Sequence, residues 1–228
     1  MATFVLVHGA WHGGFKWRFV RPLLQRAGHQ VFAPSLTGLG DRRHLARPDI
    51  DLETHIQDVV GILDAEDLQD AVLVGHSYGG MVITGAADRA PERVAQLVYL
   101  DAFVPENGNC TLDYVVPERA ARMREEGERS GFVPPPPLSL WGLTKPEHIE
   151  FVKPREAPHP FQTMAQPIRL AGTSKPRTFV YCSSPATGSF DQFAARYRSD
   201  PAWKFFELQT GHDAMILMPE RVAEILQK

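Results

Sequence analysis

The sequence predicts one α/β domain built on a doubly wound, mostly parallel sheet. Six short apolar runs alternate with helix-forming stretches along the 228 residues, and this alternation is typical of parallel sheets covered by helices. The chain is long enough to bury one core of this kind. A proline-rich stretch interrupts the alternation, which predicts a segment inserted into the domain.

The first half of the chain contains four of the predicted strands. Each is a short apolar run that ends at a glycine, a proline or a polar residue, as buried strands do. Apolar spacing of three and four residues predicts helices between them, and Gly28 stops the first of these helices. The predicted strands are residues 3–7, 30–33, 71–75 and 94–100, and the predicted helices are residues 15–27, 52–66 and 78–89.

Residues 105–176 break this pattern with twelve prolines, four of them consecutive from Pro134 to Pro137, and one polar helix at 118–129. The stretch is too long for a plain loop in a compact domain. We therefore expect a cap at 105–176 inserted into a core made of residues 1–104 and 177–228. In the second part of the core, strands are predicted at 178–182 and 203–208, and helices at 190–198 and 219–227.

Composition excludes several classes of protein. The net charge is −3 and the basic residues are scattered, so no basic patch for nucleic acid or for an anionic membrane surface is present. The apolar runs are strand-sized and too short to cross a membrane. The first residues enter a strand without a charged leader, and Cys110 and Cys182 lack metal-binding or redox spacing, which predicts free thiols and a cytoplasmic protein.

The sequence Gly75-His76-Ser77-Tyr78-Gly79 lies where a predicted strand ends and a predicted helix begins. This is the context of a nucleophile elbow, the sharp turn that exposes a catalytic serine at the end of a strand. Glycines two residues before and after the serine avoid collisions with neighbouring backbone. The same motif also occurs in glycine-rich turns without catalytic function, but the flanking strand and helix favour Ser77 as a nucleophile.

Four segments resemble the α/β-hydrolase superfamily in content, order and spacing. The resemblance extends over essentially the whole chain. It is greatest for the small cofactor-free branch that contains plant methyl esterases, hydroxynitrile lyases and many bacterial esterases. It implies the α/β-hydrolase fold with an inserted cap, hydrolysis of esters and no cofactor. The four segments are residues 6–14, 75–80, 97–105 and 211–215.

Within this resemblance, His212 occupies the place of the general base, in a loop between the last strand and the last helix. The usual place of the acid follows the strand at 178–182, but no carboxylate occurs there before Asp191, in the next predicted helix. Asp101 instead ends the preceding strand, from which some members of the superfamily take the acid. We expect Asp101 to orient His212; Asp191 is the alternative, and Asp101 could also simply cap the turn after it.

The resemblance assigns the oxyanion hole to the backbone N–H groups of Ala10 and Tyr78. His8 and His12 lie in a glycine-rich loop with no carboxylate to complete a ligand set, so no metal site is predicted. Apolar side chains of the cap suggest an apolar pocket for the substrate. The residues expected at the pocket are Gly9, His76, Phe103, Trp141, Phe161 and Met164.

The leading hypothesis is a serine esterase that cleaves small or medium apolar carboxylic esters through an acyl-serine intermediate. A hydroxynitrile lyase is less favoured, because the threonine and lysine of those lyases are replaced here by Gly9 and Asp213. A ligand receptor built on the same fold is a third hypothesis. The expected partner is a small-molecule ester, without nucleic acid or membrane. The oligomeric state is left open, with a homodimer among the options.

Overall fold

Six parallel strands form the central sheet in the computed structural model, which describes residues 1–228. A separate pair of two-residue strands is antiparallel. The order across the central sheet is β2-β1-β3-β4-β7-β8, so the predicted parallel sheet is confirmed and contains no antiparallel member. The strands are β1 (Thr3–Val7), β2 (Gln30–Phe32), β3 (Ala71–Ser77), β4 (Val94–Ala102), β5 (Phe132–Val133), β6 (His159–Pro160), β7 (Arg177–Cys182) and β8 (Trp203–Leu208).

Nine α-helices accompany the strands, three of them within residues 105–176. Right-handed crossovers place the helix between β1 and β2 on one face of the sheet, and those on either side of β3 on the other. The helices are α1 (Arg21–Arg26), α2 (Leu52–Ala65), α3 (Gly79–Arg89), α4 (Pro117–Ser130), α5 (Pro146–Val152), α6 (Gln162–Ala165), α7 (Asp191–Tyr197), α8 (Ala214–Leu217) and α9 (Pro219–Leu226).

The prediction of one continuous helix over residues 15–27 is wrong. The structure has a 3₁₀ turn at Gly14–Trp17 followed by the six-residue α1. Pro22 lacks the N–H that a residue inside a helix must donate, so it is accommodated only in the first turn. The helix therefore begins beside this proline, and the turn before it buries Lys16 and Trp17.

The order of the strands creates a crevice at the carboxyl ends of β1 and β3. After β1 the chain turns towards β2 at one edge, whereas after β3 it turns towards β4 in the opposite direction. In open parallel sheets, ligands bind at such a switch point, because the two connections diverge there. The fold thus brings the segment after Val7 and the segment after Ser77 to the same opening.

Residues 105–176, from here the 105–176 segment, share one core with the sheet. A single apolar cluster of 65 buried residues includes Leu143 and Val152 of this segment as well as the strands, so the segment does not pack as a separate body. Trp11 in the loop after β1 fixes it directly. Its indole Nε1 donates to the Val133 carbonyl at 2.9 Å, its amide donates to His159 Nδ1 at 3.2 Å, and its carbonyl accepts from the Ala157 amide at 2.9 Å.

None of the helices combines the length and the apolar character that a membrane span requires.

Candidate active site

Ser77 lies at the end of β3 with a left-handed backbone, φ = 54°. The surrounding glycines permit this turn, because added Cβ atoms would collide with backbone. A Cβ on Gly75 would lie 2.6 Å from the Gly79 carbonyl oxygen, and one on Gly79 would lie 2.8 Å from the Val7 oxygen. One on Gly80 would lie 2.0 Å from the Phe103 oxygen. The elbow geometry is therefore built into the sequence.

Asp101 and His212 meet beside this elbow. The Nδ1–H group of His212 donates to Asp101 Oδ2 at 2.6 Å, and both side chains are buried. Asp101 Oδ1 accepts from the Cys182 amide of β7 at 3.1 Å, which fixes the carboxylate between two elements. Burial raises the pKa of Asp101, while the hydrogen bond and charge of His212 oppose the rise. The contact leaves His212 Nε2 as the free ring nitrogen.

Asp191, the alternative acid, is engaged elsewhere. It is the first residue of α7, and its Oδ1 accepts from the Tyr181 hydroxyl at 2.8 Å. No hydrogen bond or ion pair joins it to His212, whose carboxylate partner is Asp101. Of the two carboxylates considered from the sequence, the structure brings only Asp101 to the histidine.

The buried side chains of His76, Asp213 and Lys16 lie next to His212 and its backbone. The His76 ring lies 4.3 Å from the His212 ring, centroid to centroid, and its Nε2 donates to the His212 carbonyl at 3.1 Å. Asp213, the next residue, forms an ion pair of 2.6 Å with Lys16, and neither side chain is exposed. Burial, with the charge of His212, lowers the pKa of His76 well below its usual value, so this imidazole is neutral.

The N–H groups of Ala10 and Tyr78 lie at the switch point on either side of the crevice. Ala10 follows β1, and Tyr78 follows the serine at the start of α3. Both residues are buried, and neither N–H donates a hydrogen bond within the protein. Buried backbone donors without a partner are rare, which makes these two amides available to a bound oxygen.

A narrow cavity adjoins Ser77 and these amides. Its volume is about 30 Å³, room for about two waters. A wider surface cleft of about 710 Å³, lined largely by arginines and glycines, contains none of these groups. The narrow cavity is lined by Ala10, Trp11, Ser77, Tyr78, Phe103, Thr111, Val115, Arg119, Met123, Trp141, Met164, Ser189 and Phe190.

The sequence model of the alpha/beta hydrolase family matches residues 4–225, which is almost the whole chain. The chain belongs to the alpha/beta hydrolase family. An extracellular alpha/beta-hydrolase from a Paenibacillus species superposes on it with a TM-score of 0.86, covering 99% of this chain and 98% of that chain at 22% identity. This likeness shows the alpha/beta hydrolase fold.

Two curated relatives match this chain over very different lengths. A carbendazim-hydrolysing esterase of a Nocardioides species is 41% identical over 99% of this chain and 98% of its own length. Salicylic acid-binding protein 2 of Nicotiana tabacum is 39% identical, but over 46% of this chain and 40% of its own length. Because the esterase relative matches from end to end, this alpha/beta hydrolase is placed among the ester hydrolases.

Three of the six residues expected at the pocket of this hydrolase line the cavity: Phe103, Trp141 and Met164. The other three do not. Gly9 packs against His76, since an added Cβ would lie 2.9 Å from His76 Nδ1, and His76 itself lies behind His212. Phe161 packs on α4, where a Cβ on Gly127 would lie 2.1 Å from its ring.

Several residues around the site are absent from the sequence-based predictions. One of them is Phe190, whose ring is parallel to the His212 ring within 8° at 4.9 Å. A sequence signal exists for Phe190, because it lies in the loop after a parallel strand, where ligand sites form. Lys16 and Arg119 carry no such signal. No group of three His, Cys, Asp or Glu side chains is arranged to hold a metal ion.

Proposed function

We propose that this ester hydrolase cleaves small or medium, mainly apolar carboxylic esters through an acyl-serine intermediate. The observation that carries the proposal is the 2.6 Å hydrogen bond between His212 and Asp101 beside the left-handed Ser77. In this assignment Ser77 is the nucleophile, His212 the general base and Asp101 the acid.

The proposed reaction begins when Ser77 Oγ attacks the ester carbonyl while His212 Nε2 takes its proton. Ser77 Oγ and His212 are not hydrogen-bonded in this structure, and such contacts often tighten only when substrate binds. The amides of Ala10 and Tyr78 hold the oxyanion, a contribution that typically changes the rate by about 10²–10³ per donor. His212 then protonates the leaving alcohol, and water, activated by the same histidine, releases the acid from Ser77.

The substrate range follows from the shape of the cavity. Nine of its thirteen lining residues are hydrophobic, which favours apolar acyl or alcohol groups. Two of these, Met123 and Met164, have flexible side chains that can move to admit a substrate larger than the two waters for which the cavity has room. We propose that the 105–176 segment, which supplies both, acts as a cap over Ser77.

A hydroxynitrile lyase finds no support at the two positions that distinguish it. The residue after His8 is Gly9, where an added Cβ would lie 2.9 Å from both His76 Nδ1 and Ser77 Cβ. A threonine side chain there requires these groups to move. The residue after His212 is Asp213 and not a lysine. Its carboxylate forms an ion pair with Lys16.

The Ser77→Ala variant tests the covalent mechanism. We expect its turnover of p-nitrophenyl acetate to fall at least about 10³-fold, since the nucleophile is removed while the fold is kept. Mass spectrometry should show a single fluorophosphonate adduct on the wild-type protein and none on the variant. The exposed Ser139→Ala is the matched control and should retain turnover and labelling.

The substrate range is measured with a panel of methyl and p-nitrophenyl esters of increasing chain length. Carbendazim is included because it appears in the name of the 41% identical relative. Fast multiple turnover of a small activated ester favours an enzyme, whereas a single slow turnover with tight retention of the ligand favours a receptor. Full activity in Ser77→Ala contradicts the mechanism.

A further inference from the structure

The cavity beside Ser77 contains buried polar atoms that the proposed mechanism does not use. The hydroxyls of Thr111 and Ser189 and the indole Nε1 of Trp141 are each buried and have no hydrogen-bond partner, and all three residues line the cavity. A buried polar group without a partner costs about 1–3 kcal/mol. Three such groups in one small cavity indicate a ligand that supplies the missing partner.

These polar groups share one chemical character. An indole N–H and a guanidinium can only donate hydrogen bonds, and a hydroxyl can donate one. Arg119 adds a guanidinium to this lining, and no aspartate or glutamate lines the cavity. The wall therefore presents donors and a positive charge, which match an acceptor with negative charge.

Arg119 lies in the first turn of α4 and has no ion-pair partner. Its Nη2 donates to the Thr187 carbonyl at 3.3 Å, a long contact that leaves other N–H groups of the fork available. Arg119 is about half-buried, and this burial lowers the pKa of its guanidinium from the ordinary value, as expected for a cation partly shielded from water without a counter-charge. Such a group favours a carboxylate, which it can bind with two parallel hydrogen bonds.

Arg119, Thr111 and Ser189 belong to adjoining parts of the fold. The hydrogen bond from Arg119 to Thr187 joins the start of α4 to the loop after β7. Gln192 joins the same two parts again, because its Nε2 donates to the Tyr114 carbonyl at 2.9 Å and to the Ser189 carbonyl at 2.7 Å. The donors are thus held on one connected wall.

We propose that Arg119, Thr111 and Ser189 form a subsite for a carboxylate carried by an otherwise apolar ester substrate. The preferred substrates are then half-esters of dicarboxylic acids or related esters with one free carboxylate. This inference rests on the proposed ester hydrolysis at Ser77 and adds the class of substrate to it.

The test compares esters that differ only in the charge of their far end. Monomethyl succinate, glutarate and adipate are paired with methyl 4-methylpentanoate, 5-methylhexanoate and 6-methylheptanoate, in which an isopropyl group replaces the carboxylate. Acetylated hydroxy acids sample the alcohol side. At the best chain length we expect wild-type kcat/KM for the charged ester to exceed that for its neutral partner by at least about tenfold, as expected of a charged hydrogen bond.

Arg119→Met, which removes the charge but keeps the length, should reduce this ratio to about one. Arg119→Lys should restore part of the ratio, and Thr111→Val and Ser189→Ala should each lower it about threefold. Arg122→Met is the matched control, since Arg122 is exposed on the same helix. If Arg119→Met does not fold, the ratio of kcat/KM values is measured for Arg119→Lys, Thr111→Val and Ser189→Ala instead, and these three variants decide the test.

Binding measured without turnover separates this inference from the proposed mechanism. Calorimetry with the half-esters on Ser77→Ala should show binding that weakens at least about tenfold when Arg119→Met is added. If binding depends on Arg119 but the wild-type protein hydrolyses none of the esters, the subsite is upheld and the mechanism is overturned. A wild-type ratio at or below one for every pair, or equal effects of Arg119→Met and Arg122→Met, overturns the subsite.

Discussion

Ser77 and Asp101 both adopt a left-handed backbone, with φ of 54° and 42°, although neither is a glycine. Side chains other than glycine rarely adopt this conformation, which costs about 1–3 kcal/mol at each position. Ser77 is the last residue of β3 and Asp101 the last but one of β4, and the pairing of these strands shifts register just before Ser77. From this irregular strand end the Asp101 carboxylate reaches the His212 ring.

The identity of the acid leads to a prediction at this scale. Asp101→Asn should reduce kcat/KM at least about a hundredfold, because an amide favours the wrong tautomer of His212; in serine proteases the same change costs about 10⁴-fold. Asp191→Asn should cost at most about fivefold, since its partner is the Tyr181 hydroxyl and the loss of that hydrogen bond removes only about 1 kcal/mol. Both variants are assayed with p-nitrophenyl acetate. If Asp191→Asn lost activity while Asp101→Asn kept it, the assignment of Asp101 as the acid would be contradicted.

Thermal unfolding of Asp101→Asn is the control for folding. The direction of the expected change in stability follows from the burial of this carboxyl. The pKa of Asp101 is raised above 3.8 in the folded protein, so ionisation of this carboxyl opposes folding increasingly as the pH rises above 3.8, and the whole cost is present above the folded value. Asparagine carries no such cost. The variant should therefore be at least as stable as wild type at pH 7, and this advantage should vanish below the ordinary aspartate value of 3.8.

Residues of the site differ in how far the sequence predicts them. Ser77 and His212 follow from local signals, a glycine-flanked serine at a strand end and a histidine in the last loop. Asp101 is expected from the family resemblance alone, with Asp191 as the alternative, because a choice between them depends on the neighbour relation of β4 and β7 in the sheet. Lys16 and Arg119 are distant in sequence from the groups they face, and no local pattern distinguishes them from surface cations.

The pair of Lys16 and Asp213 operates at the scale of whole elements. It connects the 3₁₀ turn at Gly14–Trp17 to the start of α8, next to His212. Burial lowers the pKa of Lys16, and the charge and hydrogen bond of Asp213 oppose the change. Because Gly14–Trp17 continues the loop that carries Ala10, the ion pair fixes the loop of this proposed oxyanion donor against the loop of His212.

Lys16→Met should lower the free energy of unfolding by about 3–5 kcal/mol, because it leaves the Asp213 charge buried without a partner. The double variant Lys16→Met/Asp213→Leu should recover most of that loss, since a buried ion pair can be replaced by apolar groups at little cost. Urea unfolding of the three proteins measures both effects. A double variant no more stable than Lys16→Met would show that the pair is not the source of the loss.

At the scale of the whole molecule, the alternation of strands and helices predicts the sheet, because each element buries one apolar face or stripe against the next. The failure at residues 15–27 has a local cause, since the apolar spacing continues across Pro22 whereas the helix cannot. The cap hypothesis rests on interrupted alternation alone. Its short strands, β5 and β6, are not predicted because two residues carry no periodicity.

A cluster of buried neutral histidines gives the molecule a pH-dependent stability. His8 accepts from the Leu36 amide at Nε2 and donates through Nδ1 to the Gly9 carbonyl. His55 accepts from the Tyr78 hydroxyl at Nδ1 and donates through Nε2 to the Thr37 carbonyl. Each pattern needs a neutral ring. Burial accordingly lowers the pKa of both histidines from 6.5 to about 4.

These histidines predict a loss of stability in weak acid. Since their folded pKa values are lowered, the stabilisation is complete above pH 6.5 and is lost as the pH falls towards 4. Each loses about 1.4 kcal/mol per pH unit, about 3 kcal/mol over the window. Urea unfolding at pH 7, 6, 5 and 4.5 measures the slope. His55→Gln should reduce the slope of the unfolding free energy against pH by the equivalent of about one bound proton, whereas the exposed His44→Gln should leave it unchanged. A free energy of unfolding that is constant from pH 6.5 to 5 would contradict the prediction.

The three hydrogen bonds of Trp11 to residues 133, 157 and 159 bear on how such a hydrolase can be modified. Trp11 directly follows Ala10, whose amide is a proposed oxyanion donor, and its own backbone is held at φ = 65°. A loop graft or a segment exchanged from a relative that lacks these acceptor and donor positions would alter the path of the Ala10 amide. Exchange of the 105–176 segment therefore cannot alter substrate choice independently of rate, unless the graft preserves the docking site for one tryptophan.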